Sequence, residues 1–225
     1  MSYHFDATEN FFHALDSIDI LIDFALRENN EGNVKNHDLF LNLSVVSLVT
    51  KFQVFVENSL EEFLYKIQRS NKTYQNLPLT LRLSSLKHLL DSSNILPNKL
   101  EHPQKYSQQI LQQVISEFQR FNRICSDDAR IDDEFKFNTK FSMGKQGVNE
   151  LIALYKQING ENIFVLSSLD KNKLNEILRR RHDIIHDDVN HQLNELKVSE
   201  YKIFIEKVVK FIDNYLRRNV EPVEL

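Results

Sequence analysis

A long apolar pattern from Leu39 to Arg69 limits what this chain can become. Val45, Leu48, Val49, Phe52, Val56, Leu60, Phe63 and Ile67 recur at three- and four-residue steps, the repeat of one helix face. The first half, LFLNLSVVSLV, is apolar nearly all round, which predicts a central helix buried on most sides. The 225 residues include 4 Gly and 4 Pro, where average usage would give roughly 16 and 11. Sandwiches and barrels need those residues at their many corners, so the composition disfavours them. Gly32, Gly144, Gly147 and Gly160 do not form G-x-G-x-x-G or a Walker-type phosphate loop,.

The remaining helices follow from periodicity and stop signals. Phe5 to Arg27 carries Phe11, Leu15, Ile18, Ile22 and Ala25 at helical steps, and an ENNEGNVKN loop follows. Pro78 precedes a shorter helix near Leu79 to Leu90, and Pro97 and Pro103 bracket a loop before a helix from Gln104 to Arg123. Ser126 to Ser142 reads as irregular. Gly147 to Ile158 ends at Asn159-Gly160, a helix stop,. Asp170 is placed to cap a helix running to about Asp188,. Ser199 is placed to cap the last one, whose stripe is Tyr201, Ile205, Val208, Val209, Ile212, Tyr215 and Leu216,. No repeat, low-complexity tract or linker interrupts the chain, so the expected architecture is all-α, one domain over residues 1–225 with about seven helices.

Cys125 is the single cysteine, so it forms no internal disulfide or cysteine-rich zinc site and fits a reducing cytoplasm,. MSYHFDATEN lacks a signal-peptide pattern, and no apolar run approaches the roughly 20 residues of a membrane span,. The expectation is a cytoplasmic protein without a membrane partner. Net charge is −4 but uneven: Lys171 to Arg218 holds 11 basic and 8 acidic residues, and the first 170 residues hold 17 basic and 22 acidic. The C-terminal part is therefore mildly basic, which permits nucleic-acid binding.

The densest polar cluster is Arg179-Arg180-Arg181-His182-Asp183-Ile184-Ile185-His186-Asp187-Asp188. At about 100° per residue, Leu174, Ile177, Leu178, Ile184 and Ile185 share the core side, and Arg179, His182, Asp183 and His186 share the opposite one,. Arg181 projects from within the apolar side and needs a partner to offset its desolvation; Glu57, flanking the stripe of the long helix, is the candidate,. Three chemistries fit the cluster. It can be a solvated face with local ion pairs. His182 and His186, at i, i+4 spacing, mimic H-E-x-x-H with Asp183 in place of Glu, with His191 or Glu195 available as a third metal ligand,. Or histidine can move protons on a phosphate ester that arginine holds.

Arg181 to His186 resembles the R-x4-6-H motif of the HEPN superfamily, in the form with a polar residue directly after the arginine. The surroundings agree: LVTKFQVFVENSLEEF upstream, then NGENIFVLSSLDKNKLNEILRRRHDIIHDD, then an amphipathic closing helix. The chain is most similar to HEPN branches of bacterial defence systems such as RiboL-PSP-HEPN, and residues 166–218 are the distinctive part. The resemblance implies an HEPN-like helical bundle and an endoribonuclease that needs no metal and no cofactor. It implies a homodimer whose two motif helices face each other across one RNA cleft. His186 would be the general acid or base at the 2′-hydroxyl or leaving oxygen, Arg181 would steady the phosphate, and His182 fills the polar position. Products would carry 2′,3′-cyclic phosphate and 5′-hydroxyl ends. Asp183 could orient an imidazole,. The cellular role implied is a toxin or antiphage defence effector with an antitoxin or defence-system partner protein. The alternative is a catalytically silent HEPN dimer that binds a nucleotide, RNA or protein.

Arg179 with six intervening residues, or Arg180 with five, also satisfies the motif; Arg179 shares His186's face, whereas Arg181 is about 140° away,. The tyrosine of R-x4-H-x-Y forms is replaced by Asp188. Phe135, Phe137 and Phe141 with Lys136 and Lys140 either stack bases or pin a loop to the core,. Glu61 and Glu62 read as a solvated helix face.

Overall fold

The computed structural model describes residues 4–93, 103–143, 147–186 and 193–220. Pro97, His102, Gly144, Asp187, Asp188 and His191, named above, lie outside the described residues. The described elements are α1 (Asp6–Ala14), α2 (Asp16–Asn30), α3 (Val34–Gln68), a 3-10 turn (Tyr74–Asn76), α4 (Leu79–Ser93), α5 (Pro103–Cys125), α6 (Gly147–Asn159), α7 (Lys171–His186) and α8 (Glu195–Val220). Among the described residues there is no strand; Thr73 and Arg130 make an isolated bridge. The fold is all-α, in keeping with the glycine and proline scarcity.

The chain forms two compact units: residues 1–62, 139–154 and 162–225, and residues 63–138 with 155–161. The first contains the motif helix. Its core is the stripe of α3, where Leu41, Val45, Leu48, Val49, Phe52, Val56 and Leu60 are all fully buried. Each such side chain contributes roughly 1.5–3 kcal/mol of burial. By length and composition α3 could cross a membrane, which corrects the expectation that no segment reaches that size. The helix nevertheless places these seven side chains inside protein.

Helix α8 packs on α1, α2 and α7, and Val198, Tyr201, Ile205, Val209, Ile212 and Leu216 are buried along it. Polar contacts fix its position. Buried Asp213 accepts from the Thr8 hydroxyl at 2.7 Å, Lys202 pairs with Asp19, and His37 Nε2 lies 3.1 Å from Glu195. Glu62 accepts the backbone N–H groups of Asp6 and Ala7, so it holds the start of α1 and is not part of a solvated face. Helix α8 begins earlier than Ser199: Asn194 Oδ1 accepts from Lys197 N at 2.8 Å and supplies the cap,. The predicted helix from Phe5 to Arg27 is broken at Leu15, whose N–H donates to Phe12 O while the Ser17 hydroxyl donates to Ala14 O. Those local bonds replace the i→i−4 ladder there.

In the second unit α4 packs on α5. The irregular stretch is pinned by Gln68, which donates to Phe135 O at 2.8 Å. Arg82 fastens the end of α5 through Asp127 and the carbonyls of Ile124 and Cys125. Gly160, at φ +86°, ends α6 in the left-handed region expected of Asn-Gly,.

Candidate functional site

Helix α7 starts where the sequence placed it: Asp170 Oδ1 accepts from Asn172 N at 2.8 Å and Lys173 N at 3.2 Å. Leu174, Ile177 and Leu178 are buried and seat the helix against α8. Gly147 at the start of α6 meets the Leu178 side chain, with only 3.0 Å for a would-be Cβ. The apolar face ends sooner than the sequence suggested. Ile184 is half-buried and Ile185 is 44% exposed, so the last turn of α7 stands away from the core.

That last turn presents the two motif histidines. His186 is exposed, His182 is half-buried, and their ring centroids are 4.6 Å apart with a 45° tilt. Beside them is an open depression lined by Asn172, Asn175, Glu176, Arg179, Arg180 and Asp183. Arg179, Asp183 and the two imidazoles therefore share the polar face derived from the helical repeat.

The three arginines have different surroundings. Arg180 Nε donates to Glu176 Oε1 at 3.3 Å, one turn back, and its guanidinium lies 5.8 Å from the Tyr201 ring centroid. The same Glu176 oxygen accepts the Tyr201 hydroxyl, and Lys197 Nζ is 3.6 Å from it. Arg180 is thus committed to fastening α7 to α8. Arg179 is exposed and Arg181 half-buried. Among the described residues neither forms an ion pair, and Arg181 Nε is buried without a hydrogen-bond acceptor. Two cations remain available to an anion, on different sides of one helix.

Glu57 is not the partner of Arg181. Its carboxylate accepts from Phe141 N at 3.0 Å and lies 3.6 Å from Lys140 Nζ, because the returning segment after residue 138 runs along α3 at that point. Glu61 also pairs with Lys140 and, with Glu57, raises the lysine's pKa. Phe135, Phe137 and Phe141 are at most 3% exposed, so they pin their segment to the core and offer no stacking platform. Among the described residues no three His, Cys, Asp or Glu side chains gather as metal ligands; His191 lies outside them.

Sequence reasoning missed the Glu176–Tyr201–Lys197 cluster. The i, i+4 spacing of Glu176 and Arg180 was a legible signal,, whereas the Tyr201 hydroxyl depends on how α8 packs. Its hydrogen bond holds the Glu176 carboxyl below the usual carboxylate range, against partial burial and with help from Lys197 and Arg180. Burial, then that same bond, pushes the Tyr201 phenol up. A carboxyl with a lowered folded-state pKa adds stability at pH values above its unfolded pKa and loses it as pH falls through the folded one. Glu176 is 39% exposed, so the bond is worth the lower end of the hydrogen-bond range. Tyr201→Phe should cost about 0.5 kcal/mol at neutral pH, and the difference should shrink below about pH 4. Urea unfolding of both proteins across that range is the check.

A family model for RiboL-PSP-HEPN matches residues 9–218. No curated protein and no solved structure matches the chain. The matched span takes in α2 through α7 and nearly all of α8, with the contacting histidines and the arginines of α7 inside it. The chain belongs to the RiboL-PSP-HEPN family.

Proposed function

We propose that this protein is a metal-independent endoribonuclease that acts as a homodimer on RNA in the cytoplasm, as a toxin or antiphage defence effector restrained by a partner protein. The observation that carries the reading is on α7: exposed His186 in ring contact with half-buried His182, on the same helix as Arg179 and Arg181, which have no ion-pair partner among the described residues. Imidazole moves protons near neutral pH and guanidinium holds phosphate oxygens. In the reaction His186 accepts the 2′-hydroxyl proton as O2′ attacks phosphorus. The P–O5′ bond breaks, and O5′ takes a proton from an imidazolium. The products are a 2′,3′-cyclic phosphate and a 5′-hydroxyl.

One helix does not bring Arg181 beside His186, since five residues along an α-helix turn about 140°. Pairing α7 with its copy supplies Arg181 from the other chain, and the otherwise orphaned Nε then meets a phosphate oxygen. Light scattering should give about twice the 26.6 kDa chain mass; a monomer at micromolar concentration counts against the composite cleft. The decisive assay is RNA cleavage with EDTA present, comparing wild type with His186→Ala and Arg181→Ala. Equal cleavage by all three, or a strict metal requirement, overturns the mechanism. RNA or nucleotide binding that Arg181→Ala abolishes, with no cleavage of varied RNAs, identifies the silent dimer instead.

A further inference from the structure

The closeness of His182 and His186 has a second chemical meaning. His182 and His186, at i and i+4 in the last turns of α7, hold their imidazoles side by side, with centroids 4.6 Å apart. Side chains at i and i+4 are neighbours on one helix face, so rotation about their torsions can aim one nitrogen of each ring at a common centre about 2.0–2.1 Å away. Neither side chain has an ion-pair partner among the described residues, so chelation breaks no ion pair there. Asp183, one residue beyond His182, lines the depression beside Arg179 and Arg180 and contributes negative charge next to the pair.

From this geometry we propose that His182 and His186 form a chelating site for a borderline divalent transition-metal ion, with Zn²⁺ and Cu²⁺ the best fits to imidazole donors. Two protein ligands leave the other coordination positions to water, so the ion exchanges freely and is not a structural one. Its occupancy takes the lone pair that His186 would use on a proton. On the nuclease reading above, and only on it, the ion is an inhibitor: cleavage needs no metal and loaded protein is switched off.

The test is calorimetric titration of the full, untagged chain with Zn²⁺, repeated on His182→Ala, His186→Ala and the exposed control His88→Ala. The expected result is one saturable site per chain that weakens at least tenfold in each of the first two variants and is unchanged in the control. Circular dichroism of each variant checks that the fold survives. No saturable binding, or equal affinity in either paired-histidine variant, overturns the site. A parallel cleavage assay separates the two readings. Zn²⁺ should abolish wild-type cleavage at the concentration that fills the site, and EDTA should restore it. Unimpeded cleavage by loaded protein overturns the inhibitory role. Absence of cleavage with or without Zn²⁺ overturns the nuclease reading and leaves the calorimetric result to decide the site.

Discussion

His186→Ala is expected to cut RNA cleavage by about 10²–10⁴-fold with EDTA present, the range set by loss of a general acid or base. The fold should not suffer, because the ring is exposed at the end of α7 and its one described contact is with His182. Arg181→Ala should cost about 10²–10³-fold, as expected of one lost donor to a charged transition state. Arg180→Ala should act differently, lowering stability through Glu176 and Tyr201 and activity only as far as α7 loosens. Mixing the two inactive variants distinguishes the arrangement of the site. If Arg181 of one chain serves His186 of the other, mixed dimers contain one intact pair and recover a measurable fraction of wild-type activity. If both residues act within one chain, no intact pair forms and the mixture stays dead.

Phe141→Ala should remove about 3–5 kcal/mol of stability, the usual cost of emptying a buried phenylalanine site. The ring is fully buried and meets Phe52 edge-on at 6.3 Å. Its backbone is held from both sides, by Glu57 at 3.0 Å on the N–H and by the Gln53 amide at 2.7 Å on the carbonyl. The segment therefore cannot slide to refill the gap. Against a typical total of roughly 5–15 kcal/mol, the loss should move the denaturation midpoint substantially. Unchanged stability with weakened RNA affinity would instead restore the base-stacking role that this burial opposes.

Periodicity revealed the helices because burial in an all-α chain leaves a direct trace at three- and four-residue steps. The α3 stripe, the α8 stripe, the Asp170 cap and the stop at Gly160 were readable for that reason. The break at Leu15 was not, since Phe11, Leu15, Ile18 and Ile22 all remain buried across it and the stripe continues while the hydrogen-bond ladder changes. The start of α8 was misplaced because Asn194 and Ser199 are both competent caps, and only the observed Asn194–Lys197 bond selects between them. At the site, the polar face was readable from helical angles. The division of labour among Arg179, Arg180 and Arg181 was not, because it rests on Tyr201, a residue on another helix that a local pattern cannot bring near. Glu57 was misassigned for a similar reason: the segment that occupies it, at Lys140 and Phe141, is far along the chain.

The bond between Thr8 and Asp213 joins residues 205 positions apart, and α1 takes part of its packing from α8. During synthesis, at about 5–20 residues per second, the amino end must wait ten seconds or more for its seat to emerge. Until then the apolar faces of α1 and α2 have no α8 to cover them, and the motif helix has no Tyr201 to brace it. A chain cut short before α8 would leave both the amino end and α7 unseated. The order of manufacture thus delays the finished form of α7 until α8, the last of the described helices, has been made.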